Sequence, residues 1–299
     1  MLRTRLLTAA VIAPVILVIV VLGEPWVSLL VGIAAFLAMV EMVALLDAAG
    51  YEPPQVITIL AGLALTAAGL ATVNEQAVGG PLAAAVASLD PPGLVAATLI
   101  GAVMLLAVAA FTRSEPRAGF VTWAMSSFGV AYIGLLLPSI ALVAHLSPPS
   151  GSAATPVGLF GIGSGVAWAL MLVLVVWGYD TGAYLTGRWL GRRRLIDHIS
   201  PSKTVEGVAG GLVVATLGAG VGAALVGLEP WHPLVIGPLV GLVAQAGDLA
   251  ESMLKRAAGR KESGFLVPGH GGILDRLDSF LFAAPVLAGY ALLMAGRVA

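Results

Sequence analysis

The chain alternates long apolar runs with short polar breaks. A helix needs about 20 mostly apolar residues to cross a bilayer, and nine runs reach or approach that length. Proline and glycine recur in the breaks, where they end helices. The pattern predicts nine membrane-spanning helices, over residues 5–22, 26–46, 55–73, 93–112, 120–144, 157–185, 205–227, 233–254 and 279–296.

Three of these runs need separate interpretation. The first follows a short basic segment and resembles a signal peptide, but it has no small-residue cleavage site, so we interpret it as a membrane helix. The run 55–73 is short and contains glycine, which makes it the weakest span. The run 157–185 is long, and we expect its helix to start late or to be broken near Gly161, Gly163 and Gly165.

Composition supports a membrane protein. The chain is 59% hydrophobic and 10% charged, whereas soluble domains are roughly 25% charged. The predicted fold class is therefore an all-α polytopic integral membrane protein. The absence of cysteine excludes disulfides and thiolate metal sites, and a net charge of −1 gives no support for nucleic-acid binding.

The positions of the basic residues predict the orientation. If the N-terminus is cytoplasmic, nine spans put fourteen of the fifteen Lys and Arg residues on the cytoplasmic side, and only Arg297 falls outside. No base lies between Arg5 and Arg113. We therefore expect a transmembrane scaffold over residues 1–150 and a catalytic region with cytoplasmic loops over residues 151–299.

A carboxylate lies near the cytoplasmic end of the sixth predicted span, in the stretch Asp180 to Tyr184. Acids inside membrane helices usually face a cavity, a partner or an ion. Asp180 is therefore either a substrate-binding carboxylate in a polar cavity or a helix-end acid that pairs with a loop base such as Arg188.

Residues 200–207 read Ser-Pro-Ser-Lys-Thr-Val-Glu-Gly. Ser200 or Ser202 is expected to cap a helix that begins here, with Glu206 in its first turn. Helix N-terminal N–H groups, hydroxyls and Lys203 are also what a phosphate needs. The segment is either an ordinary capped helix start or an anion site.

Residues 248–278 contain five acids, five bases and one histidine in an otherwise apolar chain. Ionised groups beside a bilayer are costly, so this cluster points to chemistry. On a helix, four of its polar residues share one face: Asp248, Glu251, Ser252 and Lys255. Glu251 could simply pair with Lys255, which would leave Asp248 without a partner.

Two further acids, Asp275 and Asp278, are spaced i, i+3 at the start of the last predicted helix. Together with Asp248 or Glu251 they could converge on one hard cation, and a set of carboxylate oxygens favours Mg²⁺. The alternative for each residue taken singly is a solvated, charged loop.

The loop at residues 259–272 contains Lys261, His270 and several glycines, which would let the backbone approach a ligand closely. The cluster has no second histidine, so we do not expect zinc. His270 is expected to hold backbone or to contact phosphate rather than to act as a general base.

These motifs together resemble the signature of the phosphatidate cytidylyltransferase (CDP-diacylglycerol synthase) family. The matching stretches are Asp180 to Tyr184, residues 200–207 and residues 252–278, which end in Pro-Gly-His-Gly-Gly-Ile-Leu-Asp-Arg-Leu-Asp. The resemblance is strong over about residues 174–280 and generic upstream. Glu262 stands where the family usually has aspartate, so it is left outside the predicted metal set, and Ser202 replaces a common lysine.

The resemblance implies transfer of a cytidylyl group from CTP to phosphatidate, giving CDP-diacylglycerol and pyrophosphate for phospholipid biosynthesis. It implies a multi-pass enzyme of the cell inner (plasma) membrane, with its active site on the cytoplasmic face and Mg²⁺ as the divalent metal. A homodimer is compatible with the resemblance and with the small residues of the spans, which permit close helix packing.

On this basis the candidate residues fall into three sets. The predicted metal ligands are Asp248, Glu251, Asp275 and Asp278. The predicted catalytic residues, which would hold phosphates, are Lys203, Lys255, Arg256, Lys261, His270 and Arg276. The predicted substrate-binding residues are Asp180, Ser200, Ser202, Thr204, Glu206 and Ser252.

Two other functions remain open from the sequence. A secondary transporter would also carry acids near broken helices, although the polar residues here lie at span ends and no internal repeat is visible. A CTP-dependent polyprenol or isoprenoid kinase would transfer the γ-phosphate and release CDP instead of pyrophosphate.

Overall fold

The computed structural model describes residues 13–23, 25–73, 91–147, 164–266 and 271–295. Helices account for most of this described chain, and one short β-hairpin interrupts them. The helices are α1 (Ala13–Leu22), α2 (Trp26–Ala48), α3 (Gln55–Val73), α4 (Pro91–Ala110), α5 (Pro116–Gly134), α6 (Pro138–His145), α7 (Ser164–Leu190), α8 (Val205–Val226), α9 (Pro233–Ala257) and α10 (Leu274–Ala295). The hairpin of β1 (Arg194–Ile196) and β2 (Ser200–Thr204) lies between α7 and α8.

The predicted fold class is confirmed. Eight stretches of the described chain are long and apolar enough to cross a membrane, and α5 and α6 together form one of them. They correspond to eight of the nine predicted spans. Of the remaining span, 5–22, the described part is the shorter apolar helix α1, and residues 5–12 lie outside the described residues.

Several boundaries differ from the prediction. The span expected at 120–144 is two helices, because a turn at residues 135–137 precedes Pro138, which has no N–H to continue the helix. Helix α7 continues to Leu190, past the predicted end at residue 185; residues 157–163 lie outside the described residues. Helix α10 begins at Leu274 rather than at residue 279, because the buried Glu41 carboxylate accepts a hydrogen bond from the Leu274 N–H.

The outer faces of the helices are apolar, as a lipid environment requires. On α4, Ile100, Met104 and Val108 are spaced four residues apart and are each more than half exposed. A stripe of this kind would promote aggregation in water, whereas in a bilayer it contacts acyl chains. The pattern is that of a multi-pass membrane protein.

The described chain forms two compact units. The first contains residues 13–15, 25–73, 91–141, 254–266 and 271–276. Helices α2 to α5 pack on one another within it, around the buried side chains of Met39 and Met42 on α2. The charged segment after α9 thus belongs to the same unit as α2.

The second unit contains residues 16–23, 142–147, 164–253 and 277–295. Glycines let α7 and α8 approach closely: a methyl group at Gly182 would lie 2.8 Å from the carbonyl oxygen of Gly210, and one at Gly218 would lie 2.8 Å from that of Leu174. Small residues at such contacts are typical of packed membrane helices. This tight pair supports the hairpin that joins its two helices.

A buried histidine in this unit packs against an aromatic ring and contacts a tyrosine hydroxyl. His232, in the loop before α9, stacks on Trp231 with ring centroids 3.9 Å apart, and its Nδ1 lies 2.7 Å from the Tyr290 hydroxyl oxygen. Burial lowers the pKa of the His232 imidazole below its usual value. The group is therefore neutral at neutral pH and joins the loop to α10.

Candidate active site

The segment 200–207 is a strand followed by a helix start. Ser200–Thr204 pairs antiparallel with β1, with Arg194 opposite Thr204 and Ile196 opposite Ser200. The prediction that Ser200 or Ser202 caps the helix is wrong. Thr204 is the N-cap, and its hydroxyl oxygen accepts a hydrogen bond from the Gly207 N–H at 3.1 Å, an interaction worth about 0.5–2 kcal/mol. The caps fail at 200 and 202 because the hairpin keeps those residues extended.

Glu206 lies in the first turn of α8, as predicted. Its carboxylate accepts hydrogen bonds from the backbone N–H groups of Arg192 at 3.0 Å and Arg193 at 3.2 Å. Glu206 thereby ties the end of α7 to the start of α8. The arrangement fixes the position of β2, which carries Lys203.

Lys203 forms an ion pair with Asp248 of α9. Both side chains are largely shielded, at 17% and 29% exposure respectively, and the Ser252 hydroxyl donates a hydrogen bond to Asp248 at 3.3 Å. The alternative in which Asp248 has no partner is therefore wrong. The basic motif at 200–207 and the acidic motif on α9 meet in one site.

Two more of the predicted metal ligands, Glu251 and Asp278, belong to the same unit as that pair. Glu251 is fully buried on α9, and Asp278 is half-buried on α10, where its carboxylate accepts a hydrogen bond from the Ser279 N–H at 2.6 Å. A methyl group at Gly247 would overlap the Asp278 carbonyl oxygen. The absence of a side chain at Gly247 thus lets the backbone of α10 lie against α9, one residue before Asp248.

No group of three or more histidine, aspartate and glutamate side chains in the described parts of the chain is arranged to hold a metal ion. The predicted ligand set of Asp248, Glu251, Asp275 and Asp278 stays a prediction. Three of these acids belong to one unit, and the fourth, Asp275, lies in the other.

Asp180 is exposed near the end of α7. Arg188, one of its expected partners, donates a hydrogen bond to the Tyr184 hydroxyl at 3.1 Å. Next to Asp180, the buried Tyr179 hydroxyl donates to the side-chain carbonyl of Gln245 on α9 at 3.2 Å. Sequence reasoning did not identify this buried pair, which holds α7 against α9 one turn before Asp248.

In the first unit, Asp275 organises the charged loop. Its carboxylate pairs with Lys255, accepts hydrogen bonds from the Ser263 N–H at 2.9 Å and the Gly272 N–H at 2.8 Å, and lies 2.9 Å from the Ser263 hydroxyl. These contacts occupy both of its oxygens. The predicted metal role of Asp275 stays a prediction, and in this structure its carboxylate binds donors of the protein itself.

Lys255 is buried, and its ammonium group forms an ion pair with the Asp275 carboxylate. The side chains of Arg256, Lys261 and Arg276 are exposed, and Arg256 donates a hydrogen bond to the Arg260 carbonyl at 3.2 Å. His270 lies outside the described residues. The exposed bases flank a loop. Asp275 holds the two ends of this loop, Ser263 and Gly272, close together.

A buried acid from α2 joins the same cluster, and sequence reasoning missed it. Glu41 is 4% exposed, and its carboxylate accepts hydrogen bonds from the Ile273 N–H at 3.0 Å and the Leu274 N–H at 2.9 Å. The signal was present: Glu41 is a single acid in the middle of an apolar run. An intramembrane acid is by default a functional hypothesis.

Two glycines at the end of the loop bring its backbone close to buried polar side chains. Gly271 has a φ of +85°, which favours glycine, and a methyl group there would lie 2.6 Å from an Asp275 carboxylate oxygen. A methyl group at Gly272 would overlap both the Ser263 hydroxyl and the Glu41 carboxylate. At Gly271 and Gly272, the backbone therefore approaches carboxylates of the protein itself.

These features define a class: a multi-pass α-helical membrane protein with two polar clusters, one where β2 meets α9 and one in the charged loop before α10. The cytidylyltransferase family matches residues 3–294, and the chain belongs to that family.

Proteins named phosphatidate cytidylyltransferase are among its relatives. The chain is 46% identical to the one from Synechocystis over 139 residues, covering 44% of this chain and 45% of the relative. It is 46% identical to the one from Bacillus subtilis over 125 residues, covering 41% and 46% respectively. The alignments thus span about half the length of these relatives.

Proposed function

We propose that the protein catalyses cytidylyl transfer from CTP to phosphatidate, giving CDP-diacylglycerol and pyrophosphate. Family membership supports a cytidylyltransferase, and the names of the relatives suggest the lipid substrate. The observation that carries the proposal is the ion pair between Lys203 and Asp248. It joins two motifs that are far apart in sequence into one polar site at the start of a capped helix.

The site would work at the cytoplasmic face of the cell inner (plasma) membrane. Phosphatidate is a membrane anion and CTP is a soluble polyanion, so they can meet only at the interface. The basic loops would supply positive charge there, and the distribution of Lys and Arg favours a cytoplasmic position for those loops.

The reaction requires one in-line displacement. A phosphate oxygen of phosphatidate attacks the α-phosphorus of CTP, a new P–O bond forms, and the bond from the α-phosphorus to the bridging oxygen breaks as pyrophosphate leaves. The attacking oxygen is already ionised at neutral pH, so no strong base is needed. Catalysis of this kind depends mainly on positioning and charge neutralisation.

We assign the neutralising charge to the basic residues of the sequence motifs. Lys203 would bind phosphate from β2, and Ser200 and Thr204 would assist it. The exposed side chains of the charged loop would bind the remaining phosphate oxygens: Arg256, Lys261 and Arg276, with His270 nearby in sequence. Lys255 would act through Asp275, since that pair is buried.

We propose Mg²⁺ as the cofactor, with Asp248, Glu251 and Asp278 as its ligands. Their oxygen donors are those that Mg²⁺ prefers, and all three belong to one unit of the structure. When bound, the ion would neutralise charge on phosphate oxygens. The fit is partial: among the residues that the structure describes, these acids do not form a ready group of three.

We expect the purified protein, given CTP, phosphatidate and Mg²⁺, to release pyrophosphate. Omitting phosphatidate or chelating the divalent metal should stop the release, and restoring Mg²⁺ should recover it. Release of CDP instead would indicate a CTP-dependent kinase. Release that persists after complete chelation would contradict the metal assignment while leaving the reaction intact.

A further inference from the structure

An acidic residue is buried within the apolar helix α2. Glu41 lies within α2, and it is the one charged residue of that helix before Asp47. Its neighbours Met39 and Met42 are fully buried, and Glu41 itself is 4% exposed. A buried carboxylate is costly unless hydrogen-bond donors compensate it, so its partners indicate its purpose.

The partners of Glu41 lie at the start of α10 and in the loop before it. The Ile273 N–H donates to one carboxylate oxygen at 3.0 Å. The Leu274 N–H donates to the other at 2.9 Å, and the Ser263 hydroxyl lies 3.0 Å from that same oxygen. The first N–H groups of a helix have no partner within the helix and carry partial positive charge. Glu41 therefore caps α10, although it lies more than 200 positions before that helix in the sequence.

The loop backbone is shaped around this carboxylate. A methyl group at Gly264 would lie 2.8 Å from the Glu41 carboxyl carbon, and one at Gly272 would overlap a Glu41 oxygen. The two glycines approach Glu41 from opposite ends of the loop. The sequence thus leaves space at both ends for the carboxylate to enter.

A second carboxylate closes the same loop from its own side. The Ser263 hydroxyl lies between Glu41 and Asp275, 3.0 Å from one and 2.9 Å from the other, and Asp275 also binds the Gly272 N–H. Residues 263 and 272 are therefore held together by two buried acids. The exposed bases assigned to phosphate binding, Lys261 and Arg276, lie just outside this closure.

We propose that Glu41 is a positioning residue for nucleotidyl transfer. From the N-terminal part of the chain, it fixes the base of the loop 263–272 and the start of α10. It thereby sets where the flanking basic side chains present their charge. The inference rests on the proposed function for its kinetic consequence, whereas the closure of the loop by Glu41 can be tested without substrate.

The first test is Glu41→Gln. The amide has nearly the same shape, but its NH₂ group must face at least one N–H donor, so a hydrogen bond is lost. We expect kcat for pyrophosphate release to fall about 10- to 100-fold, since small misplacements at a reaction site have effects of that size. Hydrogen exchange at the Ile273 and Leu274 amides should accelerate in the substrate-free protein. Glu52→Gln makes the same chemical change at an exposed acid of the same unit, and it should alter neither measurement.

The possible outcomes separate the claims. A folded Glu41→Gln protein with unchanged exchange at Ile273 and Leu274 and unchanged kcat would overturn the inference. A lower melting temperature with unchanged kcat per folded molecule would overturn it too, because Glu41 would then serve stability alone. If the wild type lacked cytidylyl transfer, the proposed function would fall and the exchange data would still decide whether Glu41 closes the loop.

Ser263→Ala covers the case in which Glu41→Gln does not fold. It removes the hydroxyl between the two acids while leaving both buried carboxylates their backbone donors. We expect a several-fold lower kcat and faster exchange in residues 263–266, with a small change in melting temperature. Wild-type kcat and wild-type exchange in Ser263→Ala would count against positioning by this cluster.

Discussion

Asp278→Asn should abolish measurable cytidylyl transfer, a fall of at least about 100-fold, which is the usual scale for losing one group that compensates charge in the transition state. The substitution keeps the size of the side chain and removes only its charge. Asp278 is half-buried at the start of α10, in the same unit as Asp248 and Glu251. Pyrophosphate release by purified, detergent-extracted protein is the measurement.

The control for this variant is Asp47→Asn, which removes the charge of an exposed acid at the end of α2. It should have wild-type activity. The melting temperature of Asp278→Asn should stay close to that of the wild type, which separates loss of chemistry from loss of fold. Retained activity in a folded Asp278→Asn protein would sink the assignment of Asp278 to the metal.

Gly272→Ala should cause the second largest loss. The added methyl group would overlap the Ser263 hydroxyl and the Glu41 carboxylate, so the loop must move away from both. Overpacking of this kind costs about 1–3 kcal/mol of stability. We expect a lower melting temperature together with a fall in kcat of more than about 10-fold, because the displaced loop is flanked by Lys261 and Arg276, which are assigned to phosphate.

Gly289→Ala is the matched control for Gly272→Ala. Gly289 lies in α10, and nothing would contact a methyl group there, so both the melting temperature and kcat should be preserved. If Gly272→Ala behaved like Gly289→Ala, the tight packing of the loop base against Glu41 would not be needed for activity.

The helical architecture was largely predictable, because lipid imposes one strong rule on the sequence: a span must be long and apolar. Errors arose where local chemistry overrode hydropathy. Pro138 divides an apolar run that reads as continuous, and α10 begins at Leu274 because Glu41 satisfies its first N–H groups. A hydropathy profile depends only on neighbouring residues, so it cannot predict that long-range contact.

The candidate site was predictable in its residue types and less so in its pairings. Charge density pointed to Asp248 and the motif at residues 200–207 pointed to Lys203, but no local periodicity specifies the ion pair that joins them. The helix pattern offered Lys255 as a partner for Glu251, but it did not point to the ion pair that Lys255 forms with Asp275 across the loop. Pairings between segments depend on tertiary contacts that spacing along one helix cannot reveal.

The N-terminal half illustrates the same point. It contains few charges and was expected to be scaffold, and most of its buried residues do pack as a scaffold would. Glu41 is the exception, since it binds the loop that follows α9. A single acid within an apolar span is a signal that sequence reading can use, even when its partner lies elsewhere in the chain.

The most direct test of the central claim is to follow phosphorus from CTP into the lipid. The purified protein would receive phosphatidate, Mg²⁺ and CTP labelled at either the α- or the γ-phosphorus. The proposed reaction predicts α-label in the lipid product and γ-label in released pyrophosphate. Appearance of γ-label in the lipid, with CDP released, would contradict it and would indicate a kinase instead.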